Sequence, residues 1–93
     1  MILTVDVGNS SVFIIGYENN KRVYENRQET IKVDVVSYYL HYFEMIKASC
    51  EQKSRIEGIV ISCVVPLISE AIVSCVVEVF KICLLYTSPS PRD

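Results

Sequence analysis

The chain contains 93 residues, of which 51% are hydrophobic and 22% are charged, and its net charge is −2. Domains usually contain about 100 to 150 residues, so the chain is one small domain or part of a larger one, and its apolar content excludes a disordered chain. The nine Lys and Arg residues form no basic run longer than Lys21-Arg22. This excludes a strongly basic nucleic-acid-binding protein, and we expect no nucleic acid partner.

The first thirty residues predict a three-stranded antiparallel meander. Residues 2–7 alternate in polarity, which predicts a strand with Asp6 near its end. The Gly8-Asn9 pair lies between two apolar runs and predicts a hairpin turn, because both residues tolerate the positive φ of tight turns. Residues 12–17 and 22–30 predict two further strands, and the third is the more exposed because its apolar residues lie among charged ones.

The middle of the chain predicts two helices separated by a strand. Helical spacing begins after Asp34, a suitable N-cap, and continues to about Cys50. The short apolar run at residues 59–65 predicts a strand buried on both faces and parallel to the first strand. Pro66 suits the first turn of a second helix over residues 66–82. The predicted buried positions are Val36, Tyr39, Leu40, Phe43 and Ile46 in the first helix, and Ile68, Ile72, Cys75, Val76 and Val79 in the second. The predicted order is βββαβα, an α/β fold with a mixed sheet.

The last eleven residues, 83–93, differ in composition from everything before them and hold two of the three prolines. The string CLLYTSPSPRD resembles the translation of a transposase-type sequencing adapter. We therefore expect residues 1–82 to be the authentic part of a longer protein, and residues 83–93 to be a non-native segment that packs against nothing. The alternative is a genuine Ser/Pro-rich linker.

No segment predicts a membrane span, and we expect no membrane partner. The longest uncharged run, residues 58–69, has twelve residues, and a spanning helix needs about 18 or more. The N-terminus has no basic region of the kind that begins a secretory signal. The cysteines, at positions 50, 63, 75 and 83, form no CxxC pair. We expect buried free thiols in a cytoplasmic protein.

The segment from Asp6 to Ser10 is the candidate site. A carboxylate at a strand end, followed by a glycine-containing turn, can hold Mg²⁺ through the acid while backbone amides and hydroxyls contact phosphate oxygens. The same residues are also compatible with a hairpin stabilised by the aspartate side chain, without any ligand.

Three blocks of the sequence resemble the N-terminal part of type III pantothenate kinases. The first is residues 1–13 with Asp6-Val7-Gly8-Asn9-Ser10, the second is Arg27 three residues before Thr30, and the third is residues 59–67, ISCVVP and its flanks. The resemblance covers residues 1 to about 80. It implies the ribonuclease H-like fold of actin, sugar kinases and heat-shock ATPases, of which the chain would hold part of the first domain.

The resemblance also implies an activity. Members of this family transfer phosphate from ATP to the primary hydroxyl of pantothenate, giving 4′-phosphopantothenate in the first step of coenzyme A synthesis. They act as homodimers with Mg²⁺ and a monovalent cation, K⁺ or NH₄⁺. The metal-binding acid would be Asp6. The nucleotide-binding residues would be Asp6, Val7, Gly8, Asn9, Ser10, Ser11, Val12 and Phe13.

The sequence departs from the family pattern at several positions. Ser10 replaces the commoner Thr, Ser11 replaces the usual Asn, and Cys63 replaces the usual second Ser. The G-x-D-R motif, whose Asp is the family's proposed general base, has no match, so we assign no catalytic residue and expect this chain alone to be inactive. A non-catalytic transcription regulator of the same fold, or another kinase or ATPase of the superfamily, remains an alternative.

Other polar and aromatic residues have simpler interpretations. His41 is expected to be a solvated residue of the first helix, since it has no metal-ligand partner at suitable spacing. The aromatic residues at 38, 39, 42 and 43 are expected to pack in a core or interface. Arg27 is interpreted as an exposed strand residue, with a phosphate contact as the alternative.

Overall fold

A five-stranded mixed sheet with two helices forms the structure, a computed structural model that describes residues 1–81 and the backbone of residues 84–87. The strands follow the order β3-β2-β1-β4-β5 across the sheet. β1 pairs antiparallel with β2 and β2 with β3, whereas β4 runs parallel to β1 and β5 parallel to β4. The elements are β1 (Ile2–Val7), β2 (Ser11–Glu18), β3 (Lys21–Glu29), α1 (Val35–Glu51), β4 (Gly58–Cys63), α2 (Pro66–Phe80) and β5 (Leu84–Thr87). The predicted βββαβα order and mixed sheet are confirmed.

The two hairpins differ in their backbone conformation. Asn19 and Asn20, between β2 and β3, have φ values of 54° and 66°, as expected for a two-residue turn that matches the twist of its strands. Neither Gly8 nor Asn9 has a positive φ. The positive-φ argument for the first turn is therefore wrong, although the turn itself is present.

Only one face of the sheet is covered by the helices. Leu3, Val5 and Val7 of β1 are buried in one cluster with residues of both helices, while Ile2, Thr4 and Asp6 alternate with them and are exposed or half-buried. β4 alternates in the same way, with Ile59, Ile61 and Cys63 buried and the intervening residues half-buried. The expectation that this strand is buried on both faces is wrong for the described structure, because α1 and α2 lie on the same side.

The helices agree closely with the periodicity of the sequence. α2 buries Phe80 and all five residues predicted for its inner face, and Pro66 occupies its first turn. It ends at Phe80, two residues earlier than predicted, because Lys81 adopts the left-handed conformation with φ 54°.

In α1 Tyr42 is buried, whereas Val36 is 52% exposed and not buried as predicted. Asp34 is the N-cap residue, but its side chain makes no capping hydrogen bond.

The fifth strand, β5, corrects one expectation. Leu84–Thr87 pairs with β4 from Ile59↔Leu84 to Ser62↔Thr87, so the prediction that the chain from Cys83 onward packs against nothing is wrong for these four residues. Cys83 itself and residues 88–93 lie outside the described residues. The origin of the segment 83–93 is not tested by its pairing.

Neither α1 nor α2, the helices of the described residues, has the length and apolar composition that a membrane span requires. Cys50, Cys63 and Cys75 are buried free thiols, as predicted.

Candidate functional site

Asp6 lies at the end of β1 on the sheet face opposite the helices. Its side chain is exposed, and its backbone pairs with Phe13 of β2 on one side and Ser62 of β4 on the other. Residues directly opposite each other in neighbouring strands project from the same face. The carboxylate therefore lies in a row with Phe13 and Ser62, and Ser62 is a polar neighbour that the sequence interpretation did not assign to the site.

The turn after β1 is closed by its own backbone. The Gly8 N–H donates to the Ser11 carbonyl at 2.9 Å, so this amide is not available to a ligand. The amides of Asn9 and Ser10 donate no hydrogen bond within the described part of the chain. The two exposed residues at the tip of the turn thus carry the amide donors that an anion could use.

Thr30, the residue directly after β3, holds this turn in place from the side. The Thr30 hydroxyl donates to the Gly8 carbonyl at 2.7 Å, and the Thr30 N–H donates to the Ser10 carbonyl at 3.0 Å. The carbonyl oxygens of Gly8 and Ser10 are therefore directed toward Thr30. Because the carbonyl of one residue and the N–H of the next share one planar peptide unit, the bond to the Gly8 carbonyl also fixes the direction of the Asn9 N–H.

Arg27 contributes a cation to the same end of the sheet. Its Nη2 donates to Ser11 Oγ at 2.9 Å, and its guanidinium carbon lies 5.6 Å from the centre of the Phe13 ring. Among the described residues Arg27 forms no ion pair. Arg27 is an exposed strand residue, as predicted, but its side chain also donates a hydrogen bond to Ser11 at the end of the turn.

Two residues in the implied nucleotide-binding stretch face away from this row. The side chains of Val7 and Val12 are fully buried against the helices, so they can reach a ligand only through their backbone. Phe13 is 37% exposed on the opposite face.

The chemistry of the row is compatible with Mg²⁺ bound together with phosphate. Among the described residues, no group of three or more His, Cys, Asp or Glu side chains is placed so that it could hold a metal ion. Mg²⁺ binds oxygen and commonly takes one or two carboxylates, completing its shell with phosphate oxygens and water. One exposed carboxylate, Asp6, beside free amide donors fits that pattern.

A second concave region lies between β3 and α1, away from Asp6. It has a volume of about 580 Å³ and is lined by Gln28, Asp34, Ser37, Tyr38, His41, Tyr42 and Met45. Three of its polar side chains already have partners: Gln28 donates to the Tyr38 hydroxyl, and the Tyr42 hydroxyl donates to Asn26 Oδ1 at 2.7 Å. Burial raises the pKa of Tyr42 far above the usual value, so this hydroxyl remains a neutral donor. These features are those of a packed aromatic layer, as predicted, with His41 exposed at its rim.

Solved structures with the same fold share little sequence with this chain. A Bacteroides thetaiotaomicron protein with an actin-like ATPase fold and unknown function gives a TM-score of 0.69 at 9% identity, over 92% of this chain and 32% of that one. Thermus thermophilus RuvC gives 0.57 at 10% identity, over 95% and 61%. An Aquifex aeolicus member of the Ppx/GppA family gives 0.56 at 14% identity, over 97% and 35%. The chain thus spans from about a third to under two thirds of the length of these structures.

The fold is that of actin-like ATPase domains, in its ribonuclease H-like βββαβα arrangement. A comparison with curated proteins finds no match. A family model described as type III pantothenate kinase matches residues 2–92. The chain belongs to the type III pantothenate kinase family.

Proposed function

We propose that the protein from which this chain derives phosphorylates pantothenate with ATP, giving 4′-phosphopantothenate for coenzyme A synthesis. Membership of a kinase family supports phosphoryl transfer in general. The substrate, the cytoplasmic location and a homodimeric state are proposals that rest on the family alone.

The observation that carries the proposal is the position of Asp6. Its carboxylate is exposed at the end of β1, next to a turn whose amides at Asn9 and Ser10 are free in the described structure. We propose that Asp6 holds Mg²⁺ and that Gly8, Asn9, Ser10 and Ser11 form the loop that contacts the phosphates of ATP. When bound, Mg²⁺ would neutralise charge on the transferring phosphate. K⁺ or NH₄⁺ is proposed from the family, without assigned ligands here.

We also propose that residues 1–82 are part of the first domain of a longer enzyme. The chain covers 32% of the actin-like ATPase-fold structure that it resembles. In a two-domain cleft the second domain would supply further contacts to both substrates, including the general base. The 93-residue chain alone is therefore expected to lack turnover, because positioning of both reactants and proton transfer each contribute large factors to the rate.

The test uses the longer protein, obtained by extending the reading frame past codon 82 at its genomic locus. Purified protein is incubated with ATP, Mg²⁺ and pantothenate, and 4′-phosphopantothenate is measured by chromatography. We expect turnover by the longer protein and none above a blank by the 93-residue chain. A longer protein that binds ATP without forming product would contradict the kinase proposal and favour a regulator of the same fold.

A further inference from the structure

We infer that Arg27 is a phosphate-binding residue of this site, and that Ser11 and Phe13 hold its side chain in position for that contact. The inference rests on the proposed function, because it concerns the same turn. It assigns a second strand, β3, to the binding of the anionic ligand.

Two contacts hold the Arg27 side chain in place. An arginine on an exposed strand is normally free to move in solvent, and ordering it costs side-chain entropy. Here Ser11 Oγ accepts a hydrogen bond from Nη2, and the Phe13 ring lies under the guanidinium at 5.6 Å. Cation–π contact of this kind is favourable within about 6 Å of the ring centre. The two contacts direct the guanidinium toward the turn.

The Arg27 guanidinium has N–H donors to spare. A guanidinium has five N–H donors in a planar fork. Within the described residues one of its nitrogens donates to Ser11, and no carboxylate lies within ion-pair distance. A cation that is ordered but not neutralised beside free amides is suited to an anion with several oxygens, and Arg binds phosphate through paired N–H donors.

The register of the strands places Arg27 and Asp6 on the same face of the sheet. Arg27 pairs with Phe13, and Phe13 pairs with Asp6. The Asp6 carboxylate and the Arg27 guanidinium therefore lie on one face, two strands apart. At the usual strand spacing their backbones are about 10 Å apart. That separation lets Asp6 face a metal ion and Arg27 face phosphate oxygens of one polyphosphate without neutralising each other.

β3 itself offers a matched control. Arg22 is also exposed on this strand, but it pairs with Tyr17 near the opposite end of β2 and forms an exposed ion pair with Glu25 at 3.6 Å. Arg22→Gln removes the same charge from the same strand as Arg27→Gln. A difference between the two variants therefore reports the local contact and not the net charge.

The experiment titrates the 93-residue chain with inorganic triphosphate and Mg²⁺ and follows backbone amide shifts by NMR. In the wild type we expect saturable shifts at the amides of residues 8–11. Arg27→Gln should weaken binding about 10- to 100-fold, as expected for the loss of charge-assisted hydrogen bonds. Arg22→Gln should stay within about twofold of wild type at the same salt concentration. The spectra also report whether each variant is folded.

A second pair of variants tests the positioning role of Phe13. Phe13→Leu should weaken triphosphate binding about threefold in the wild-type background, because the guanidinium loses the ring beneath it. In the Arg27→Gln background the same change should have no effect, since coupled residues are not additive. Equal effects in both backgrounds would overturn the positioning role.

The remaining outcomes separate this inference from the proposed function. Wild-type binding that Arg27→Gln and Arg22→Gln weaken equally would overturn the assignment of Arg27 and leave the turn as a phosphate site. Absence of saturable shifts at residues 8–11 in the wild type would overturn the phosphate site and the Arg27 contact together.

Discussion

The hydroxyl of Thr30 donates a 2.7 Å hydrogen bond to the carbonyl oxygen of Gly8, a residue 22 positions earlier in the chain. Together with the bond from the Thr30 N–H to Ser10, it joins the end of β3 to the turn that follows Asp6. The shape of the candidate phosphate loop thus depends on a residue that directly follows β3 and is not part of the loop.

Thr30→Val should loosen this turn. Valine keeps the shape and the strand preference of threonine but removes the hydroxyl, so we expect a loss of about 1 kcal/mol in the free energy of unfolding. Triphosphate-induced amide shifts at residues 8–11 should also weaken. Thr4→Val is the control, because its hydroxyl donates to Ile15 over a longer 3.3 Å distance on the same sheet. Equal effects of the two variants on triphosphate binding would contradict the role given to Thr30.

Asp6→Asn in the longer protein should lower turnover while leaving the fold intact. Removal of a metal-linked carboxylate facing a transferring phosphate is expected to cost about 10²- to 10⁴-fold in kcat. The side chain is exposed, and Asn keeps its volume, so the melting temperature without ligand should change little. Turnover within about threefold of wild type would show that the turn is only a structural hairpin.

Gly16→Ala should destabilise the chain, because Gly16 is packed against the buried first residue. An added Cβ would lie 2.7 Å from Met1 Sδ and 3.1 Å from Tyr24 Cβ. Overpacking of this kind typically costs about 1 to 3 kcal/mol, which urea unfolding measures. Gly58→Ala is the control, since its Cβ would meet only Ile2 Cδ1, at 3.4 Å. Unfolding free energies that agree for the two variants would contradict the prediction.

The stability of the chain should fall as the pH rises from about 9 to 11. Burial, and secondarily the charge of Glu51, raises the pKa of the Cys50 thiol from 9.0 to about 11. In this window the thiol ionises in the unfolded chain but stays protonated in the folded one, so the folded state binds more protons and loses stability with rising pH. The loss is at most about 2 to 3 kcal/mol. Urea unfolding at pH 8 to 10 should show a shallower decline in Cys50→Ala, and identical slopes would refute the assignment.

The adapter origin of residues 83–93 stays a prediction. The family match extends to residue 92, and Leu84–Thr87 forms β5, but neither fact identifies the source of the codons. Amplification of the locus across codon 82 should yield a different continuation. Native DNA that encodes the same eleven residues would end the hypothesis.

Much of the fold could be predicted from local patterns. Alternation in residues 2–7 and helical spacing in α2 each reflect one buried side of a single element, and that information is present in consecutive residues. Asp6 at the end of a strand, before a glycine turn, was visible for the same reason. The expected burial of β4 on both faces is wrong, because an apolar run does not show whether one face of a strand or both are covered.

Relationships between distant segments were decided by the tertiary structure. The register that puts Ser62 beside Asp6 and Arg27 beside Phe13 depends on how the strands pair, and a shift by one residue would send every side chain to the other face. The bonds from Thr30 to the turn, and the hydrogen bond from Arg27 to Ser11, follow from that register.

The sequence by itself determined which elements form and where Asp6 lies, since both depend on neighbouring residues. Strand pairing decided that Arg27 and the Thr30 hydroxyl contact the turn after Asp6. Side chains that are far apart in the chain meet only once the sheet has formed.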